Sequence, residues 1–346
     1  MSNWLEKKKL EESLEKVQSE RIRSLGQFCD TAVILHLYYP ELWNEITVYL
    51  DNLGGNFDLF VSVCGKDSDL TKKIIVKKFP DAFVLKFENR GRDIGPFMEI
   101  YPVISKHYNY ICKIHSKKSL HLDDGKVWRE SLFKSLLGSA ERVAEIKSFF
   151  NRFTKVGIIA PKEHLILFQS KLDLNTKNIV DISKKIGVIE LDKVNFEFAT
   201  GSMFWFRSSA LLFLLDLNIN QSNFDKEFGQ VDGTLAHAIE RVFGLTSIFA
   251  GYLNIDTQTI ELYDEIFAED FKKYSSDTKR DEAILSILKR IPKDEITIAT
   301  LKQNIVEMEC SYSWRITRPL RFVMRKFILK TWLKRYFKIK RSRTIF

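Results

Sequence analysis

Between residues 31 and 115 the chain alternates short apolar runs with helix-length amphipathic stretches, and this alternation restricts its fold more than any other feature. TAVILHL at 31–37 is almost wholly apolar, and FDLFVSVC at 57–64, AFVLKF at 82–87 and YNYICKI at 108–114 follow the same pattern. Continuous apolar runs of strand length suit strands buried on both faces. Residues 40–53 put Leu42, Ile46, Tyr49, Leu50 and Leu53 on one side of a helix, and 69–79 and 97–107 read as two more, with 88–96 a loop. Strand and helix in such regular turn predict an α/β fold, Rossmann-like, with a mostly parallel sheet flanked by helices.

The flanking segments are less regular. Residues 3–25 predict a helix carrying Leu10, Leu14 and Val17 on one face, with Gly26 as its stop signal. Helices follow at 126–137 and 139–153, and a strand at 156–160. A strand interrupted by Gly201 is expected at 196–206, and helices at 208–216, 230–243, 281–291 and 293–309. The organisation predicted is an N-terminal helix (1–28), an α/β domain (29–270) and a helical C-terminal region with a basic tail (271–346).

The net charge of +9 is unevenly placed. From Ser311 to Phe346 there are 12 Lys or Arg and no acid, which leaves −3 for residues 1–310. A mildly acidic body with a basic tail argues against a nucleic-acid binder. The tail interleaves its cations with Phe322, Phe327, Trp332, Tyr336 and Phe337, which suits an anionic membrane surface, with a helix packed on the body as the alternative. Four dispersed cysteines without a CxxC pair fit a reducing compartment and no zinc site. The charged N-terminus predicts no signal peptide, and no apolar run nears the roughly 18 residues of a spanning helix. The expected location is cytoplasmic, peripheral on the inner face of the membrane.

In an open α/β sheet, ligands bind beyond the carboxyl ends of the strands. Three unusual segments fall there. ENRGRDIGPF at 88–97 combines Asn89, Arg90, Arg92 and Asp93 with Gly91 and Gly95; arginine forks suit diphosphate, although a turn with an Arg–Asp pair accounts for it as well. KIHSKKS at 113–119 crowds Lys113, His115, Lys117 and Lys118, which fits either an anion site or a solvated loop; one histidine makes no metal site. FDKEFGQVDGTLAHAIER at 224–241 is an acidic loop entering a helix for which Asp232 is the expected cap, with His237 and Arg241 forming a polar stripe. Such acids beside a cleft also present a general base.

Together these segments resemble the rhamnan synthesis protein F family of bacterial cell-wall and O-antigen assembly. The likeness rests on NRGRDIGPF from 89, YICKIHSKKS from 110, Trp128-Arg129, Leu136 to Ser139, TGSMFWFR from 200 and FGQVDGTLAHAIER from 228. SWRITRPLR from 313 looks like a tail shared by many glycan-assembly enzymes. More distantly, the order of elements is similar to that of family 2 glycosyltransferases with a GT-A fold. In that comparison Asn89-Arg90-Gly91 matches their Asn-x-Gly loop, Lys113-Ile114-His115 stands where they carry Asp-x-Asp, and Asp232 takes the catalytic Asp position.

The resemblance implies transfer of a deoxysugar, rhamnose from dTDP-rhamnose, to a lipid-linked glycan with inversion. Asp232 is the expected base and Glu227 the second choice. Asn89, Arg90, Arg92, Asp93, Lys113, His115, Lys117 and Lys118 are expected on the donor side, and His237 and Arg241 on the acceptor side or supporting the base. No cofactor is expected: with the metal-binding acids replaced, lysines would do a cation's work; the nearby Asp123 and Asp124 could still hold a metal, but they lie beyond the expected strand end. The other implied reading is a non-catalytic glycan- or nucleotide-binding assembly module.

Overall fold

The structure is a computed structural model that describes residues 2–25, 29–116, 118, 125–168, 175–188, 190–191, 194–230 and 232–267. Lys117, Asp123, Asp124, the two helices expected beyond residue 280 and the basic tail lie outside the described residues. Two compact units divide the chain, Met1–Ile260 and Glu261–Phe346. The N-terminal helix belongs to the first of them, and so does the whole candidate site.

Seven strands form the main sheet. In sequence order they are β1 (Thr31–Leu37), β2 (Asp58–Cys64), β3 (Phe83–Phe87), β4 (Tyr110–His115), β5 (Val156–Ala160), β8 (Phe204–Arg207) and β9 (Leu253–Asp256), arranged β3-β2-β1-β4-β8-β5-β9. The first four are parallel, β8 runs antiparallel to both β4 and β5, and β5 and β9 are parallel. This mixed, mostly parallel sheet matches the α/β expectation and is compatible with a Rossmann-like fold. A second sheet pairs β6 (Leu165–Leu167) with β7 (Glu197–Ala199).

Every residue of β1 is buried, as its unbroken apolar run requires. Ala32 and Ile34 join the large core that also holds Leu10 and Leu14 of α1 (Ser2–Leu25), Phe97 and Tyr101 of α4 (Ile94–Ile104), and Val242 and Phe243 of α8 (Leu235–Phe249). Helices α2 (Trp43–Asp51), α5 (Gly125–Leu137) and α6 (Ala140–Arg152) pack on one another, with Tyr49 stacked on Phe133 and Arg129 held by Glu45 at 2.9 Å. Trp205 of β8 reaches α5, its indole N–H donating to the Leu136 carbonyl at 3.0 Å. Alternate residues of β8 thus face different helical layers. Helix α1 is tied to the sheet where Gln18 and Tyr108 both donate to the buried Asp58 carboxylate, at 3.0 and 2.7 Å.

Several expectations are corrected. Helix α4 starts at Ile94 instead of residue 97, because Gly95 and Pro96 occupy its first turn, where a missing N–H leaves no intrahelical bond unmade. The strand expected over 196–206 is two strands in different sheets, separated by a turn at Gly201 (φ 83°) and Ser202 (φ 56°). Residues 208–217 are 3-10 rather than α-helical. Helix α8 begins at Leu235 and runs to Phe249; its cap is Thr234, whose hydroxyl accepts from the His237 N–H, and Asp232 lies before it. Helices α3 (Ser68–Lys78), α7 (Thr176–Lys185) and α9 (Thr257–Phe267) join strands β6, β7 and β9 among the remaining elements. Among these α3 was expected at 69–79, whereas α7, α9, β6 and β9 were not foreseen.

Candidate functional site

Because β8 runs antiparallel to β4 with Lys113 opposite Phe204, the turn preceding β8 lies at the carboxyl end of β4. The loop after β3 comes to the same edge, and there the three segments meet. Lys113 points inward, its side chain only 2% exposed. Its ammonium donates to Asp93, to the Ser202 carbonyl at 2.8 Å and to the Ser202 hydroxyl at 2.7 Å. The rings of Phe97 and Phe243 stand 5.6 and 5.8 Å from it. With its three N–H bonds spent inside, Lys113 is a framework residue, and the diphosphate contact expected of it is corrected: no N–H is left over for a further acceptor.

Burial alone would raise the Asp93 pKa, but the charges of Lys113 and His115 and the Lys113 hydrogen bond outweigh it and hold the carboxyl well below the usual range. His115 reaches the Gly201 carbonyl from Nε2 at 2.8 Å, which makes it another clasp on that turn. Its partner in the adjacent strand β1, His36, has its pKa lowered to about 4, chiefly by burial, and so is neutral at pH 7. Ser116 accepts from the Tyr38 and Tyr39 N–H groups at 2.8 and 2.9 Å. Lys118 folds back to Glu41 and over the Tyr39 ring at 4.6 Å. Among the described residues of the basic segment, Lys113, His115, Ser116 and Lys118 are thus all bonded within the chain.

The arginine loop behaves otherwise. Gly91 has φ 68°, and a Cβ there would stand 2.5 Å from the buried Phe224 ring; at Gly95 it would stand 2.2 Å from the Arg90 carbonyl. That tight packing seats the loop on the acidic segment. Arg90 pairs with Glu88 at 3.0 Å and donates to the Phe224 carbonyl at 3.3 Å, and Asn89 is exposed. Arg92, in the left-handed region at φ 53°, fans its guanidinium across three partners. They are Glu227 at 3.2 Å, the Gln230 carbonyl and His237 Nε2 at 3.1 Å.

Guanidinium only donates, so His237 Nε2 accepts, while Nδ1 faces the Thr234 hydroxyl at 2.8 Å and the Thr234 N–H at 3.4 Å. Burial first, and then Arg92, lowers the His237 pKa to about 4, consistent with a neutral ring. Asp232 stands 3.8 Å from the same Nδ1. Its carboxylate accepts from Asn175 at 2.7 Å and from Arg241 at 3.3 Å, and remains 32% exposed. Burial pushes its pKa up, but the Asn175 hydrogen bond, the Gly233 N–H and Arg241 prevail and lower it, so Asp232 is ionised at neutral pH. Arg241 is nearly buried and also clamps the His237 carbonyl at 2.7 Å.

The structure thus joins Arg92, Glu227, His237, Asp232 and Arg241 in one hydrogen-bonded array, with Arg90 beside it. Lys117 lies outside the described residues. Asn175, Ser202 and Gln230 escaped the sequence reading. Ser202 sits inside the quoted TGSMFWFR motif and was legible to that extent; Asn175 lies 57 residues from Asp232 and left no signal. Among the described residues no group of three or more His, Cys, Asp or Glu is arranged to hold a metal ion.

The Asp93–Lys113 pair sets a pH dependence of stability. Asp93 is depressed in the folded state, so its contribution is fully present above its unfolded pKa, about 4, and is lost as pH falls below that. Asp93→Asn should therefore destabilise strongly at pH 7, by about 3–5 kcal/mol for a buried charge left unpaired. The gap from wild type should narrow towards pH 3, which urea unfolding at the two pH values will measure.

The family model described as rhamnan synthesis protein F matches residues 5–252. Two uncharacterized proteins called WxcX, from two strains of Xanthomonas campestris pv. campestris, are 37% and 36% identical to this chain over 226 residues. Each alignment covers 64% of the chain and 32% of the relative, so the match spans about a third of those longer proteins. Matched over more than half its length, the chain belongs to the rhamnan synthesis protein F family, a family of polysaccharide synthesis.

Proposed function

We propose that the chain is a GT-A-like glycosyltransferase that moves a deoxysugar, rhamnose from dTDP-rhamnose, onto a growing cell-surface glycan with inversion. The observation that carries this reading is the array that links Arg92 to Asp232 through His237 and Arg241 at the carboxyl edge of the sheet. Asp232 takes the proton of an acceptor hydroxyl whose oxygen bonds to the anomeric carbon as the bond to the diphosphate breaks. It is ionised, partly open to solvent and held in place by Asn175 and Arg241. Glu227, engaged by Arg92, serves as orienter of that arginine in this reading. Arg92 and Arg90 are preorganised cations that receive the charge developing on the leaving diphosphate. His237, neutral, passes no charge of its own and fixes the distance between the two halves of the site.

In Asp232→Asn the fold persists and nucleotide release from dTDP-rhamnose in the presence of acceptor falls by roughly 10²–10⁴-fold. Unchanged release excludes Asp232 as the base, and no release by the wild type with any donor favours the assembly-module reading.

The segment that stands at the metal-binding position of GT-A relatives contributes a buried ammonium and a histidine clasped to the Gly201 carbonyl. In our reading the arginines therefore carry the electrostatic work and turnover is independent of divalent metal. Transfer rates in excess chelator should equal those without it; their abolition overturns this point.

No helix among the described residues is long and apolar enough to cross a membrane. We place the enzyme on the inner membrane surface through its basic, aromatic-rich tail, next to a lipid-linked acceptor. The full chain should float with anionic liposomes and lose that behaviour without residues 315–346. Equal flotation of the two refutes the anchor.

A further inference from the structure

We propose that Phe228 is a stacking platform for a pyranose ring of the glycan acceptor, presented by a turn that leads into Asp232. The ring is 82% exposed, well above Val127 at 65% and Val48 at 64%, the next most exposed of the large apolar side chains described. Exposure of a lone apolar residue is ordinary. What sets Phe228 apart is the turn that keeps it outside.

The side chain of Gln230 closes this turn from both ends. Its carbonyl oxygen accepts from the Phe228 N–H at 3.0 Å, and its amide nitrogen donates to the Lys226 carbonyl at 3.1 Å. The Gln230 backbone carbonyl in turn accepts from Arg92, and Lys226 forms an isolated antiparallel bridge with Arg90. Phe224 anchors the start of the segment in the core, and Gly229, at φ 80°, lets the chain reverse directly after the ring. Phe224 and Phe228 are four residues apart; one is buried and the other is held out, so the outward ring is set by the turn and not by an apolar surface on this segment.

The surroundings select the ligand. Asp225 and Lys226 are exposed beside Phe228, and Glu227 is bonded to Arg92. A single aromatic face rimmed by charged groups suits a sugar ring, whose C–H face meets the aromatic ring while its hydroxyls find the acids and the ammonium. A protein partner would ask for an apolar centre within about 800 Å² on each side, and the described residues of this segment offer one ring among charges. That the sugar belongs to the acceptor rests on the transferase reading, since the turn leads into the proposed base and the diphosphate side is taken by Arg90 and Arg92.

Saturation-transfer NMR on the full chain, with methyl α-rhamnopyranoside as the probe, tests the platform without requiring turnover. Wild type should transfer saturation to the ring C–H protons, Phe228→Ala should bind the probe roughly fivefold to tenfold more weakly, and Phe228→Trp should retain it. So exposed a side chain should leave the thermal midpoint unchanged in both variants. Equal binding by wild type and Phe228→Ala, or no binding by wild type, overturns the proposal. Nucleotide release on the same preparations separates the two readings. A chain that binds the probe through Phe228 but releases no nucleotide keeps the platform and loses the transferase. One that turns over with unaltered acceptor KM in Phe228→Ala keeps the transferase and loses the platform.

Discussion

A lysine ammonium withdrawn from water needs a counter-charge and a hydrogen-bond acceptor for each of its N–H groups, and Lys113 finds them in three separate stretches of chain. It lies in β4, in the middle of the sheet; Asp93 comes from the loop before α4, and Ser202 from the turn before β8. Burying either charge alone would cost several kcal/mol, so the two must come together. Their meeting brings the arginine loop and the Gly201–Ser202 turn to one strand end. The left-handed conformations of Arg92 and Ser202 are backbone settings that this convergence holds in place.

A second layer is built on that clasp. With Asp93 fixed, Arg92 projects from the other side of the loop and binds Glu227, Gln230 and His237, all from the acidic segment. Asp232 is then bracketed by Asn175 and Arg241, and its carboxylate stays charged despite partial burial. Cations and acids of the site are therefore arranged in alternation: Lys113 with Asp93, Arg92 with Glu227, Arg241 with Asp232. Each charge on the potential ligand side has a partner of opposite sign behind it, which fixes its direction before any ligand arrives.

Local patterns were read well where packing followed from them. The four apolar runs became β1 to β4, and helices α5 and α6 fell within a residue or so of their expected limits, because burial on both faces and amphipathic spacing each leave a direct trace. Where a few residues decide the outcome, the chain carries less of a trace. Asp232 is a good capping residue, yet Thr234 caps α8, since its hydroxyl meets the His237 N–H and Asp232 is drawn away to Asn175 and Arg241. The lysine-rich run that begins in β4 had the composition of an anion site. Burial of Lys113 and the folding back of Lys118 to Glu41 changed its meaning.

By itself the sequence determined the α/β class, the family and the three segments that make the site, because hydrophobic periodicity and a fixed set of motifs are properties of the chain in one dimension. Only the tertiary structure decided which cations face outward. The direction of a side chain depends on which strand face it occupies and on acceptors far away in the chain, such as Ser202 for Lys113, 89 residues on. The same physics made Lys113 a buried strut and left Arg90 and Arg92 at the open edge, although all three are equally basic on the page.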